Sequence, residues 1–239
     1  MKKDLVAVVI PIYKPNLNEF ERISLKQCSK ILSNYPTFFV KATTLDANYV
    51  SEFYVEPKFE IFDDFYFENV KAYNQLMISP EFYQRFAQFE YILIYQLDAF
   101  VFRDDLKEWC KSGFDYIGAP DLTDVDVTKN TYKPLILNGG LSLRKTKSII
   151  FFLKVFHFFY PHWPANEDTL LSVYFPRSYP LRPMLRLPRW RQALPFSFEL
   201  QPSESFKLNN NRLPFGCHAW EKYDIDFWRP IFEQYGHKI

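Results

Sequence analysis

Near its first residues the sequence reads Leu5-Val-Ala-Val-Val-Ile-Pro-Ile12, an apolar run rich in β-branched side chains. Such an uninterrupted run is typical of a strand buried on both faces, as in a parallel sheet covered by helices. A second run of this kind, Tyr91-Ile-Leu-Ile-Tyr95, occurs in the middle of the chain. The two runs therefore predict two buried strands of an α/β fold.

The sequence around these runs alternates between strand and helix patterns. We predict further strands at 37–41, 59–62, 115–118 and 135–143, and helices at 17–34, 67–77, 81–89, 146–159 and 167–174. This alternation favours an α/β sandwich. Nine of the 17 prolines lie between Pro161 and Pro214. We therefore expect an irregular, loop-rich C-terminal part wrapped onto a regular N-terminal half.

Composition excludes several classes of protein. The 239 residues are 48% hydrophobic and 24% charged, which excludes a disordered chain and favours a single domain over 1–239. The formal net charge is +1 at pH 7, whereas a general nucleic-acid binder shows a strong basic excess. We therefore expect no nucleic acid among the partners of this chain.

The cysteines and the apolar segments indicate a compartment. Cys28, Cys110 and Cys217 are far apart and form no CxxC pair, which fits a reducing cytosol and disfavours structural zinc. Pro11 interrupts the apolar run 5–12 and no small-residue cleavage site follows, so we interpret the run as a strand and not a signal peptide. No segment approaches the ~18–20 apolar residues that span a bilayer. The sequence therefore predicts a cytoplasmic protein without a transmembrane helix.

The polar set Gln96-Leu97-Asp98 lies just past the C-terminal end of the strand 91–95. Ligands of open α/β sheets bind outside the carboxyl ends of strands. A carboxylate at that place can hold a divalent cation that bridges phosphates. The alternative for Asp98 is a helix cap or a solvent-facing turn, although another apolar run, 99–102, follows at once.

Two of the six glycines are adjacent in the segment Asn138-Gly139-Gly140, which lies between apolar stretches. Paired glycines let a backbone come close to a ligand or make a sharp turn. The segment therefore predicts either a place of close approach to a ligand or a tight hairpin.

Two later motifs carry groups that suit acid–base or metal chemistry. Asn166-Glu167-Asp168 leads into an apolar helical run, and one of its carboxylates can serve as a general base. The alternative is structural, because Asn166 can cap that helix and both acids favour its positive end. His218, between Cys217 and Ala219-Trp220, can supply an imidazole metal ligand, although a single histidine is more often a satisfied core residue.

In this order the motifs resemble one family. They are Val8-Val-Ile-Pro-Ile-Tyr13, Gln96-Leu-Asp98, Asn138-Gly-Gly-Leu-Ser-Leu-Arg144, Glu167-Asp168 and Phe215-Gly-Cys-His218. The set resembles GT-A fold glycosyltransferases, and more closely a bacterial glycosyltransferase-like family catalogued as a domain of unknown function. The resemblance covers about residues 5–220. It implies a GT-A-like, Rossmann-like α/β fold with a mixed, mostly parallel sheet flanked by helices, a nucleotide-sugar-binding half (1–135) and an acceptor-binding half (136–239).

The resemblance also implies roles for single residues. In such enzymes an Asp-x-Asp motif holds Mn²⁺ or Mg²⁺, which binds the diphosphate of a nucleotide sugar. Asp98 matches its second position, whereas Gln96 replaces the first aspartate. His218 matches a late histidine that is often a second metal ligand. Of the acidic residues, Asp168 matches the base that deprotonates the acceptor hydroxyl in inverting enzymes, and Glu167 would contact the donor sugar or the acceptor.

The expected donor-binding residues come from several parts of the chain. They are Pro11, Tyr13, Asp46, Lys71, Gln96, Leu97, Asp98, Asn138, Gly139 and Gly140. Pro11, Tyr13 and Asp46, at early strand ends, would line the nucleotide-base pocket. Lys71, on the helix before the strand 91–95, would reach the diphosphate or would be a solvated helix lysine. Gln96 would contact the ribose or the sugar.

The resemblance further implies a UDP-sugar donor and a hydroxyl acceptor on a glycan or a lipid-linked molecule, in bacterial surface polysaccharide synthesis.

The segment 176–198 has no acidic residue and carries Arg177, Arg182, Arg186, Arg189 and Arg191. Its arginines would bind phosphate groups or contact the inner face of the membrane. The alternative is a solvated loop whose arginines form ion pairs with acids elsewhere in the chain.

A second function stays open: a carbohydrate- or nucleotide-sugar-binding protein of the same fold without transferase activity. Gln96 and the aromatic content of 20% motivate it, because aromatic faces stack on sugars.

Overall fold

The computed structural model describes residues 4–123, 136–174 and 184–239. In these ranges the strands are β1 (Asp4–Pro11), β2 (Thr37–Ala42), β3 (Lys58–Phe62), β4 (Phe89–Tyr95), β5 (Ala99–Val101), β6 (Tyr116–Ile117), β7 (Leu141–Lys145), β8 (Ser197–Phe198) and β9 (Gly216–His218). The helices are α1 (Glu19–Ile31), α2 (Val70–Met77), α3 (Pro80–Gln84), α4 (Leu106–Lys111), α5 (Thr146–Phe159), α6 (Glu167–Thr169), α7 (Trp190–Ala193), α8 (Pro202–Leu208) and α9 (Ile225–Gln234). None of these helices is both long and apolar enough to cross a membrane.

The larger sheet contains six of the described strands, in the order β3-β2-β1-β4-β7-β6. The strands β1 to β4 pair in parallel, whereas β7 runs antiparallel to β4 and to β6. β1 and β4, the two apolar runs of the sequence, lie side by side at its centre and are buried on both faces. The expected mixed, mostly parallel sheet flanked by helices is therefore confirmed.

A second, smaller sheet forms directly after the carboxyl end of β4. A turn in which Ala99 N donates to Gln96 O (2.9 Å) leads into β5, and the order of the described strands is β5-β9-β8. β9 runs antiparallel to β5 and pairs His218 with Ala99. This pairing brings His218 next to the turn that contains Asp98, although the two residues are far apart in the sequence.

An aromatic core beneath the smaller sheet holds this arrangement in place. Trp228 and Phe232 of α9 are completely buried. Trp228 stacks on Phe102 with a centroid separation of 5.7 Å, and Phe232 packs on Phe100 at 4.1 Å. Since large aromatic side chains contribute much of the hydrophobic stabilisation of a core, α9 fixes β5 and, through it, β9.

Several predicted bounds are wrong. The strand predicted at 135–143 is β7, Leu141–Lys145, because Asn138 Oδ1 accepts a hydrogen bond from Gly140 N (2.8 Å) and makes a local turn instead. Residue 135 lies outside the described residues. The helix predicted at 81–89 is α3, Pro80–Gln84, since the chain must enter β4 at Phe89 beside β1. The helix predicted at 167–174 is the single turn α6 followed by the π-helical turn Leu170–Tyr174.

The loop-rich C-terminal part also contains short regular elements that the sequence did not indicate. The described residues after 184 include α8, α9 and the strands β8 and β9. The two strands have only two and three residues, too few to show a periodic pattern, and α9 contains Pro230. Short strands and an internal proline both resemble loop sequence.

Candidate active site

His218, the last residue of β9, is surrounded by polar groups from three parts of the chain. Its Nε2 lies 2.9 Å from Asp98 Oδ1 and 3.1 Å from Gln96 Oε1. Its Nδ1 lies 3.2 Å from Glu199 Oε2. Lys222 Nζ lies 3.0 Å from Asp98 Oδ2. We call these five residues the histidine cluster.

Opposite charges control the protonation of this cluster. Burial disfavours the charged forms of both Asp98 and His218. His218 and Lys222 nevertheless hold the pKa of the Asp98 carboxyl well below its ordinary value. Asp98 and Glu199 likewise outweigh burial and raise the pKa of His218 to about 10. The cluster therefore balances an imidazolium and an ammonium against two carboxylates.

The donor atoms of the cluster also suit a divalent cation. Asp98 Oδ1 and Gln96 Oε1 are oxygen donors beside His218 Nε2, a set that suits Mn²⁺ or Mg²⁺. Since His218 is an imidazolium in the cluster, its Nε2 would become a ligand only by losing its proton in competition with the incoming cation. A Cβ built at Gly140 would lie 2.0 Å from this Nε2, so only a glycine at this position leaves room for the His218 ring. Among the described residues no three His, Cys, Asp or Glu side chains are arranged to hold a metal ion, and Asp98 and Glu199 contact different ring nitrogens of His218. The fit therefore depends on the amide oxygen of Gln96 as a third ligand.

Glu167 and Asp168, which we call the acidic pair, lie next to the other glycine of the motif. A Cβ built at Gly139 would lie 2.2 Å from Glu167 Oε1. Arg144, which is completely buried, donates from Nη2 to Glu167 Oε1 (3.0 Å) and to Gly139 O (3.2 Å). Glu167 is therefore held in a buried ion pair.

Neither glycine has the left-handed backbone conformation, and the segment does not form the alternative tight hairpin. Instead, the two glycines allow two side chains, Glu167 beside Gly139 and His218 beside Gly140, to approach the backbone closely.

Asp168 has a different environment from Glu167. Burial, and then the charge of Glu167, raise the pKa of Asp168 to about 6. Its Oδ1 accepts a hydrogen bond from Thr169 N at 2.6 Å. A carboxyl group with this pKa is suited to accept a proton near neutral pH.

The capping role that the sequence allowed for Asn166 is not observed. Its side chain makes no cap hydrogen bond and instead accepts from Asn74 Nδ2 (3.2 Å). Asn74 Oδ1 accepts from Glu167 N (3.0 Å) and so takes over the capping role.

Helix α2 links the histidine cluster to the acidic pair. The hydroxyl of Tyr73 accepts a hydrogen bond from Gln96 Nε2 at 3.2 Å, and the next residue, Asn74, contacts Glu167. Adjacent residues of one helix therefore contact both groups, and so do adjacent glycines. The two groups form one site at the carboxyl end of β4.

The three residues that were expected to line the nucleotide-base pocket have different surroundings in the structure. Pro11 ends β1 and is buried. Tyr13 is 58% exposed, and its pKa is raised by burial, by Glu21 and, to a smaller extent, by Asp98. The hydroxyl of Tyr13 lies 3.5 Å from Glu21 Oε1. Asp46 is exposed and accepts a hydrogen bond from Asn48 N (3.0 Å), which caps the 3₁₀ turn Asn48–Glu52.

Leu97 and Lys71 have surroundings that the sequence did not indicate. The side chain of Leu97 is buried in the core, so only its backbone can face a ligand. Lys71 and Tyr73 are two positions apart on α2 and therefore point to different sides of the helix. Lys71 lines a groove of about 670 Å³ together with Gln75, His157 and Trp163.

The arginine-rich segment is described from residue 184 onward, and Arg177 and Arg182 lie outside the described residues. Arg186 lies over the ring of Phe114 (5.4 Å) and Arg191 over that of Trp190 (4.8 Å).

Sequence reasoning missed Glu199, Lys222 and Tyr73, and it assigned no role to Arg144. A signal for Glu199 was present in the sequence, because it is the first acidic residue after the acid-free segment 176–198. Asn138, which was expected at the site, donates to Glu199 Oε1 at 2.7 Å.

Comparison with known proteins identifies the family of this chain and its structural relatives. The family described as Protein of unknown function (DUF5672) matches residues 56–218. The chain belongs to the DUF5672 family. The matched part of this DUF5672 protein runs from before β3 to His218 and so includes Gln96, Asp98, the glycine motif and the acidic pair. Comparison of its sequence with curated proteins finds no match.

Solved structures show the fold of this DUF5672 protein. The galactosyltransferase LgtC in complex with donor and acceptor sugar analogs is 12% identical, with a TM-score of 0.55 over 89% of this chain and 86% of LgtC. Mouse xyloside xylosyltransferase 1 is 10% identical, with a TM-score of 0.53 over 90% and 97% of the two chains. The bifunctional glycosyltransferase WbbM is 11% identical (TM-score 0.52), and the match covers 92% of this chain but 46% of WbbM. The predicted GT-A fold is confirmed.

Proposed function

We propose that this protein is a metal-dependent, inverting glycosyltransferase. It would move a sugar from a UDP-sugar to a hydroxyl of a glycan or lipid-linked acceptor in bacterial surface polysaccharide synthesis, at the inner face of the membrane. One observation supports the proposal most strongly. The histidine cluster contacts Gly140 and the acidic pair contacts Gly139, so donors for a cation and a proton acceptor flank one backbone segment.

On the donor side, Asp98, His218 and the amide oxygen of Gln96 would hold Mn²⁺ or Mg²⁺. When bound, the cation neutralises charge that develops on the departing nucleoside diphosphate. Tyr13 and Pro11, at the end of β1, would line the nucleotide side of the same crevice. Gly139 and Gly140 allow Glu167 and His218 to pack against the backbone, because a larger residue would clash with either side chain. The donor sugar would bind beside the same segment.

On the acceptor side, Asp168 would take the proton of the attacking hydroxyl, which its pKa of about 6 permits at neutral pH. Glu167 would position the substrate, because its carboxylate is already bound to Arg144 at 3.0 Å. We assign the groove that contains Lys71 and Trp163 to the acceptor, since aromatic faces stack on sugars. Inversion requires the acceptor hydroxyl, while its proton passes to Asp168, to attack the anomeric carbon from the face opposite the leaving diphosphate.

The names of structural relatives support sugar transfer as the reaction class. LgtC is a galactosyltransferase whose structure holds donor and acceptor sugar analogs, and the mouse relative is a xylosyltransferase. At 10–12% identity these relatives share the fold, and the reaction of the present chain is our proposal.

The test measures sugar transfer and donor hydrolysis from UDP-sugars with and without EDTA. We expect EDTA and Asp98→Ala each to abolish turnover, because each removes a cation donor or the cation. Asp226→Ala, at a carboxylate of α9 that is 88% exposed, is the matched control. Turnover that is unchanged by both treatments would contradict the metal role.

A second candidate is a nucleotide-sugar-binding protein without transferase activity. Two observations favour it. Gln96 stands where the resembling enzymes have aspartate, and Lys222 and His218 already neutralise Asp98 and Glu199. Calorimetry separates the two functions: tight donor binding without turnover, over a broad panel of acceptors, would identify the binding protein.

A further inference from the structure

The outward side of α5 carries apolar side chains that the fold does not bury. Its inner side packs into the larger core through Ile149, Phe152, Leu153 and Phe156. On the other side, Phe151 is 61% exposed, Phe158 is 83% exposed and Phe159 is 60% exposed. Phenylalanines with this exposure on one helix mark a surface for interaction.

Two lysines share this outward side. Lys147, Phe151, Lys154 and Phe158 are spaced by four, three and four residues and therefore form one stripe along the helix. Both lysines are exposed, and neither has an ion-pair partner among the described residues. We call these four residues, with Phe159, the outer stripe of α5.

The segment that contains α5 has no acidic residue that could neutralise the lysines of the stripe. Between Lys145 and Asn166 the sequence contains three lysines, two histidines and no aspartate or glutamate. Glu81 of α3 and Glu90 of β4 face other cations, Arg85 at 3.9 Å and Lys145 at 3.8 Å. Asp115 contacts α5, but its carboxylate accepts hydrogen bonds from Ser148 Oγ (2.6 Å) and Arg186 N (2.7 Å). The stripe therefore combines exposed aromatic rings with uncompensated positive charge.

We propose that the outer stripe of α5 docks on the surface of an anionic lipid bilayer. Phe151 and Phe158 would enter the headgroup region while Lys147 and Lys154 meet lipid phosphates, the arrangement by which amphipathic helices lie in a membrane interface. A second copy of the chain fits this face less well. A two-fold contact would bring the four lysines of two copies into one interface without an acid from the stripe among them. This inference rests on the surface of α5 and not on the proposed sugar transfer, and it would supply the contact surface for the proposed location at the inner face of the membrane.

The test is sedimentation of the full chain with vesicles of phosphatidylcholine containing about one third phosphatidylglycerol, compared with vesicles of phosphatidylcholine alone. We expect at least about tenfold tighter binding to the anionic vesicles, because each lysine near such a surface adds favourable energy. Lys147→Glu/Lys154→Glu should abolish that preference. Phe151→Ser/Phe158→Ser should weaken binding about tenfold, because the rings no longer enter the interface.

Matched controls keep the test specific. Lys26→Glu/Lys30→Glu, at exposed lysines of α1, changes the net charge equally, and Val55→Ser removes an apolar residue that is 96% exposed. Both controls should bind as the unchanged protein does, and circular dichroism checks that every variant is folded. Equal binding of stripe and control variants, or no preference for anionic vesicles, would overturn the proposal. A dimer in sedimentation velocity that only the Phe151→Ser/Phe158→Ser variant loses would overturn it in favour of self-association.

Discussion

The histidine cluster contacts Gly140 and the acidic pair contacts Gly139, yet the pKa values of their carboxyl groups Asp98 and Asp168 are shifted in opposite directions. In the cluster, His218 and Lys222 keep Asp98 ionised and lower its pKa. In the pair, burial and Glu167 raise the pKa of Asp168 to about 6, while Arg144 is bound to Glu167. The position of the cations, and not the number of acids, therefore distinguishes a group suited to bind a cation from a group suited to accept a proton.

The largest expected effect comes from Asp168→Asn. An amide cannot accept the acceptor proton, so sugar transfer should fall by about 10²–10⁴-fold. Donor binding should stay unchanged, because the histidine cluster is intact. Transfer assays and calorimetry measure the two quantities on the same sample.

Glu167→Gln is the matched variant for that prediction. It removes the neighbouring charge but leaves Asp168, so it should retain measurable transfer. If Asp168→Asn keeps full transfer while Glu167→Gln loses it, the roles of the two acids are reversed.

Arg144→Met should destabilise the protein by about 3–5 kcal/mol, because it leaves Glu167 as a buried carboxylate without its ion-pair partner. Chemical denaturation measures the free energy of unfolding. Lys145→Met, at a neighbouring lysine whose contact with Glu90 is partly exposed, should change that energy by less than about 1 kcal/mol. If Arg144→Met and Lys145→Met changed the free energy of unfolding equally, the ion pair between Arg144 and Glu167 would not be what holds Glu167 in place.

The two glycines offer a direct comparison between the cluster and the pair. Gly140→Ala places a methyl group against His218 Nε2 and should weaken donor binding by about tenfold or more. Gly139→Ala places it against Glu167 and should lower transfer with a smaller effect on donor binding. Calorimetry and initial rates measure the two variants side by side. If both variants lost donor binding and transfer rate to the same extent, donor binding and proton transfer would not be separate functions of the two sides of the segment.

The smallest expected effect is a gain in stability. Because folding raises the pKa of Asp168 from 3.8 to about 6, the folded state binds more protons in that interval and its stability falls as the pH rises through it. Above pH 6 Asp168→Asn should therefore be more stable by about 1–2 kcal/mol, less than the ~3 kcal/mol of the full shift because part of the carboxyl faces solvent. Thermal unfolding between pH 4 and pH 8 measures the difference, and a constant difference over this range would contradict the raised pKa.

The transfer rate should follow the same ionisation. As the pH falls through about 6, Asp168 becomes protonated and the rate should decline. A rate that stays constant down to pH 5 would exclude Asp168 as the base.

The sequence predicted those parts of the fold whose signal is local. β1 and β4 are buried on both faces, so their residues are apolar without interruption, and Asp98 was found because it follows β4. For Gly139 and Gly140 the sequence left open a close approach to a ligand or a tight hairpin, and the structure shows a close approach of two side chains. Their partners were not identified from the pattern alone, because His218 and Glu167 reach them only through tertiary packing.

Contacts between distant short elements escaped prediction for the same physical reason. β8 and β9 have two and three residues, and their pairing places Glu199 beside His218. Arg144 meets Glu167, 23 residues further along the chain, because α6 packs beside α2. The sequence pattern around β8 and β9, and around Arg144 and Glu167, has no periodicity that would predict these contacts. The order of the motifs along the chain, by contrast, already indicated the family.

The division of labour between the histidine cluster and the acidic pair is tested most directly by calorimetric titration of a UDP-sugar in the presence of Mn²⁺. The titration compares the unchanged protein with Asp98→Asn and Asp168→Asn. We expect Mn²⁺-dependent donor binding to disappear in Asp98→Asn and to persist in Asp168→Asn. Equal binding by both variants, or equal loss in both, would contradict that division.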